Sequence, residues 1–167
     1  MANLVLATYA GDGYADHVLG ILRAPEVTLP GTFDSSATVR VTPDATYKVA
    51  HRERQGSSDA LWGVLWEALF GLILRVPLSG TSYGSTLGGL FGAIDRAGLD
   101  AEFRSSVRKS LSPPSSGLAV IASGWDPEPL LRHFVVRPRA IFSATIDLEP
   151  GSELNLELGR RPPQLHA

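Results

Sequence analysis

Between residues 60 and 75 the chain reads ALWGVLWEALFGLILR. Wound into a helix, Leu61, Trp62, Leu65, Trp66, Leu69, Phe70, Leu72 and Ile73 cover most of the circumference and leave a narrow strip of Ala60, Gly63, Glu67 and Gly71. A helix that is apolar nearly all round has to be covered on nearly all sides, so any fold that holds it must supply neighbours in most directions. A bilayer would do so, but a span takes about 20 apolar residues. This segment offers 16 residues with Glu67 near its middle and Arg75 at its end, so burial against protein is the expectation and a bilayer-inserted hairpin the alternative.

The following segment sharpens the question. Pro77 and Gly80 separate it from the first helix, and GTSYGSTLGGLFG then places Gly80, Gly84, Gly88 and Gly92 at successive i, i+4 positions. On an α-helix those positions drift by only about 40° per step and form a stripe without side chains. Tyr83, Leu87, Leu90, Phe91 and Ile94 make a second stripe beside it. Each glycine costs about 0.5–1 kcal/mol against alanine in a helix interior, so four oppose helix formation by roughly 2–4 kcal/mol. Close approach of another backbone along the bare stripe would offset that cost. The spacing predicts a helical hairpin over 57–98, with a flexible glycine-rich loop as the simpler alternative. A domain of this length leaves little room to hide both helices, which points to an interface between copies of the chain. Gly80, Gly84, Gly88, Gly92, Trp62, Trp66, Phe70, Gly63, Gly71 and Glu67 are the candidate interface residues, and a membrane surface is the other place they could be covered.

Gly80, Ser82 and Gly84 also spell G-x-S-x-G, the strained strand-to-helix turn that exposes a serine nucleophile in α/β-hydrolases. Chain order permits a triad with Asp95, Asp100 or Asp126 and then His133 or His166. Three fixed positions in a chain of 17 glycines are weak, Pro77 stands where the leading strand should run, and no HGGG motif precedes them. A serine hydrolase using Ser82 is therefore the alternative function. Neither GxxxxGK[ST] nor GxGxxG occurs, and no lysine lies between Lys48 and Lys109, so a phosphate loop is not expected.

His17, His51, His133 and His166 show no ligand spacing, and the chain lacks cysteine, so no metal or cofactor is expected. The net charge of −2 gives no field that would draw the chain to nucleic acid. The short basic clusters Arg52 with Arg54, and Arg132, Arg137 and Arg139, read as solvated faces, with an anionic ligand or lipid headgroup as the alternative. No basic residue precedes the first apolar run, so a cytoplasmic protein, membrane-associated if the hairpin seats on a bilayer, is expected.

Along the rest of the chain, 3–10 reads as a buried strand, 14–22 as a helix and 38–41 with 46–50 as a hairpin. Asp100 caps a polar helix that Pro113 and Pro114 end, 117–123 is a second central strand, a short helix follows Asp126, and 139–147 is the last strand. That order predicts one α+β domain over 1–158, a ferredoxin-like two-layer sandwich with an inserted glycine-rich helical hairpin, and a flexible tail over 159–167.

The opening MANLVLATYAGDGYADHVLGILR, the hairpin ATVRVTPDATYKV, the pair ALWGVLWEALFGLIL and GSTLGGLFGAIDRAGLD, the helix AEFRSSVRKSL and the strand SGLAVIAS resemble an uncharacterised bacterial family of predicted membrane proteins of unknown function. The resemblance runs over residues 1–125 and implies no catalytic residue. The sequence departs from it in the insertion PEVTLPGTFDSS and in a Ser/Thr-rich second helix. Residue patterns and resemblance together lead to a non-enzymatic protein that assembles with itself through the hairpin.

Overall fold

The computed structural model describes residues 1–53, 59–75, 88–134 and 136–159. Eleven elements follow in the order β1 (Ala2–Tyr9), α1 (Tyr14–Leu22), β2 (Ser35–Val41), β3 (Tyr47–Glu53), α2 (Asp59–Leu74), α3 (Gly88–Arg96), α4 (Ala101–Ser110), β4 (Ser115–Ser123), α5 (Glu128–Arg132), β5 (Ala140–Ile146) and α6 (Glu153–Gly159). The strands form one antiparallel sheet in the order β3-β2-β4-β1-β5. Helix α1 joins β1 to β2 across β4, and α5 joins β4 to β5 across β1, so each connection skips one strand.

The central strands are apolar without alternation because both faces are covered. On β1, Leu4 and Leu6 point into the side formed by α2, α3, α4 and α6, whereas Val5, Ala7 and Tyr9 point toward α1 and α5. β4 divides the same way, with Ala119 and Ile121 on the first side and Leu118 and Val120 on the second. The architecture is thus α+β with helices on both faces, where the sequence pattern suggested two layers.

The face opposite α1 and α5 resolves the crowding expected for the apolar helix. Leu65, Trp66, Leu69, Phe70 and Ile73 of α2 are fully buried against the sheet and the neighbouring helices of the same chain. Arg108 of α4 donates to the Ile73 carbonyl at 3.4 Å and so satisfies one of the open carbonyls near the end of α2. Asp100 caps α4 as its position suggests, its side chain accepting from the Phe103 N–H at 3.0 Å.

Candidate functional site

Trp66 and Phe70, two of the residues expected between subunits, stack on each other with ring centroids 6.1 Å apart inside the core. Both are 0% exposed in the single chain, so neither presents a surface to a partner. The reason is the doubly covered sheet, which gives α2 the room that a two-layer sandwich lacks. Below Trp66, the indole N–H donates to Ser35 Oγ at 2.7 Å, Ser35 Oγ lies 3.1 Å from Glu53 Oε2, and the Glu53 carboxylate meets His51 Nδ1 at 2.8 Å. Gly63 faces that imidazole: a methyl group there would stand 3.2 Å from His51 Nε2. At Gly63, therefore, β3 fits close against α2.

Trp62 is half-buried and lines a cleft of about 290 Å³ with Asp34, Ser123 and Leu148. Glu67 and Gly71 are also half-buried, and Glu67 borders a larger cleft beside Tyr47 and Val49 of β3. Gly80, Gly84 and the serine of the G-x-S-x-G pattern, Ser82, lie outside the described residues, so the front of the glycine stripe does too. Gly88 opens α3. Further along, a side chain at Gly89 would stand 2.6 Å from the Glu157 carboxylate of α6, and one at Gly92 would stand 3.1 Å from the Arg96 guanidinium. Gly89, beside the stripe, thus faces a helix of the same chain, whereas the stripe glycine Gly92 faces only Arg96 of α3 itself.

That helix, α6, falls in a stretch left unassigned between the last strand and the tail. Ser152 Oγ accepts from the Asn155 N–H at 3.2 Å, and Leu154 and Leu158, one turn apart, are buried. A serine cap followed by leucines at i, i+4 is the signal that marks it. Arg96 of α3 holds Glu153 at 2.5 Å. Their hydrogen bond keeps the Glu153 carboxyl below, and the Arg96 guanidinium above, its ordinary range.

The two sheet edges differ in character. β3 carries Lys48, His51, Arg52 and Glu53 within YKVAHRE, whereas β5 reads AIFSATI and has no charged residue. Ser143 and Thr145 are exposed on β5, and no described strand pairs with its outer side. Charges on a terminal strand discourage pairing with another chain, so only β5 is left without that protection.

On the α1 face, the cross-strand pairs Ser36–Arg52, Thr38–Ala50 and Arg40–Lys48 form the floor of a groove beside Asp16, Leu19 and Arg23. Two adjoining clefts of about 460 and 180 Å³ share Asp16, Thr38 and Ala50. Arg23 donates to Ser36 Oγ at 2.8 Å, and Arg40 donates to the Asp12 carbonyl at 2.9 Å with Asp16 Oδ2 at 3.5 Å. Burial and then the nearby Arg52 hold the Arg23 guanidinium below its ordinary value, with Glu53 opposing them. The expected solvated cluster at Arg52 is thus joined to cations of α1 and β2. Arg54 lies outside the described residues.

The other candidate groups serve local structure. Asp95 binds Arg104 at 3.1 Å, Asp126 accepts from the Glu128 N–H at 3.0 Å, and His133 caps α5. Among the described residues no group of three His, Asp or Glu side chains could hold a metal, and no helix is long and apolar enough to cross a membrane. Residues 60–159 match the family model described as "Protein of unknown function (DUF1269)". This match starts at α2 and runs past β5, whereas the resemblance read from the sequence covered 1–125. No curated protein and no solved structure matches the chain.

Proposed function

We propose, from the premise that this chain belongs to the DUF1269 family of proteins of unknown function, that it is a non-enzymatic α+β module that assembles with itself. The observation that carries the reading is the unprotected β5 edge, seven residues without charge or proline at the end of a sheet whose opposite edge is charged. Antiparallel pairing of β5 with its equivalent in a second copy would join two sheets into one. Such a contact is self-complementary about a two-fold axis, the commonest symmetry of soluble dimers.

The core order β2-β4-β1-β5, with α1 and α5 on one face, supports the ferredoxin-like reading of this module. On that reading β3 is an added edge strand, and α2, α3, α4 and α6 cover the face opposite α1. The glycine-striped hairpin is the rival contact for self-assembly, and the same experiment separates the two.

Light scattering coupled to size exclusion gives the mass of the intact chain and of two variants. Ser143→Lys/Thr145→Lys places cations on exposed positions of β5, where like charges oppose one another across a two-fold pair. A dimeric wild type, a monomeric lysine variant and an unchanged Gly84→Leu/Gly88→Leu variant are expected. A monomeric wild type would end the self-assembly reading. Loss of the dimer in the leucine variant alone would move the contact from β5 to the hairpin.

A further inference from the structure

Although the chain as a whole is slightly acidic, at −2, four of its cations gather in the groove between α1 and the outer strands. They stand in two groups. Arg23 and Arg52 flank Ser36 at one end, and Arg40 and Lys48 form a cross-strand pair at the other. Ser36 and Arg40 are four residues apart along β2, about 13 Å. Between the two groups lies the uncharged pair Thr38–Ala50, with the Thr38 side chain nearly closed off by α1.

The existing partners leave much of this charge unused. Asp16 neutralises part of the Arg40 end, Glu53 acts on Arg23 from beside the groove, and Glu67 borders the same cleft, so four cations stand against three carboxylates, two of which line the groove. Arg23 is already held in place by Ser36. The side chains of Lys48 and Arg52 are exposed and make no hydrogen bond or ion pair with the described residues. A fixed guanidinium beside a free one suits the several acceptor oxygens of a phosphate group.

We infer that this groove binds a soluble, elongated ligand with a phosphate group at each end, one on Arg23 and Arg52 and the other on Arg40 and Lys48, its uncharged middle passing over the exposed Ala50. The site is independent of the β5 edge, which lies on the far side of the sheet from β3. Its concave form between a helix and a strand favours a small molecule over a flat bilayer surface.

Titration calorimetry with hexamethylene bisphosphate, with hexyl phosphate as the one-ended control, tests the inference on the full chain. The bisphosphate should bind about tenfold or more tightly than the monophosphate, because each charged end adds hydrogen bonds to ionised donors. Lys48→Ala and Arg52→Ala should each remove most of that advantage, and Lys48→Arg and Arg52→Lys should restore part of it. Both positions are exposed, so an unchanged circular-dichroism melt is expected and shows that the variants are folded. Equal affinity for the two probes, or binding that survives both alanine variants, would overturn the two-ended site. Co-sedimentation with phosphatidylglycerol vesicles, lost in Arg52→Ala and without saturable binding of the bisphosphate, would overturn the soluble ligand in favour of a lipid headgroup.

Discussion

The indole N–H of Trp66 donates to Ser35 Oγ at 2.7 Å across the buried junction of α2 with the first residue of β2. Neither side chain reaches solvent: Trp66 is 0% and Ser35 1% exposed. Ser35→Ala would leave the indole N–H without its acceptor and remove a neighbour of the Glu53 carboxylate. A buried donor left unpaired costs about 1–3 kcal/mol. Urea unfolding should show a loss of that size, and a change below a few tenths would mean another acceptor takes over.

Phe70 distinguishes a core helix from an interface helix. Phe70→Ala removes a fully buried ring from the packed face of α2 and should cost roughly 3–5 kcal/mol. Because its neighbours belong to the same chain, this loss should be the same at low and high protein concentration. A loss confined to concentrations at which copies associate would return Phe70 to the subunit interface.

Two glycines should respond in opposite directions to the same substitution. Gly20 lies in α1, and a methyl group there would meet nothing within 4 Å, so Gly20→Ala should stabilise by about 0.5–1 kcal/mol through helix propensity. Gly117 lies in β4, where a methyl group would stand 3.0 Å from Val39 Cγ1 and 3.5 Å from Leu111 Cδ2. Gly117→Ala should therefore destabilise, by about 1–3 kcal/mol if the core does not relax. Thermal melts of the two variants that move the same way would contradict this packing.

Tyr9 sets an alkaline limit. Its hydroxyl is buried without a hydrogen-bond partner among the described residues, and burial pushes the phenol up to about 12 from 10.0. A group whose pKa is raised on folding contributes stability that is complete below the unfolded value and lost as pH rises toward the folded one. The chain should therefore lose roughly 2–3 kcal/mol between about pH 10 and 12 from this group alone. Tyr9→Phe removes the orphaned hydroxyl and should be neutral or stabilising at pH 7, with a flatter fall above pH 10. An unaltered pH profile in Tyr9→Phe would assign the alkaline loss elsewhere.

Local patterns carried most of the element order. The apolar run of β1, the helical spacing over Tyr14–Leu22, the Asp100 cap and the Pro113–Pro114 stop each act within one turn or one strand, so neighbouring residues reveal them. α6 was missed because only Leu154 and Leu158 mark its apolar side within seven residues. The groove was legible only as Arg52 in a basic cluster. Arg23, Arg40 and Lys48 join it through strand register and the seat of α1, which no local spacing encodes.

By itself the sequence determined that residues 60–74 form a helix needing cover on nearly all sides, because its side chains leave almost no polar face. What would cover that helix was decided by the tertiary structure. The strand order β3-β2-β4-β1-β5 assembles a sheet with two apolar faces, and the face opposite α1 and α5 takes α2 within a single chain. Strand order depends on long-range pairings such as β1 with β4 and β5, more than a hundred residues apart, so it lies beyond the reach of any periodicity.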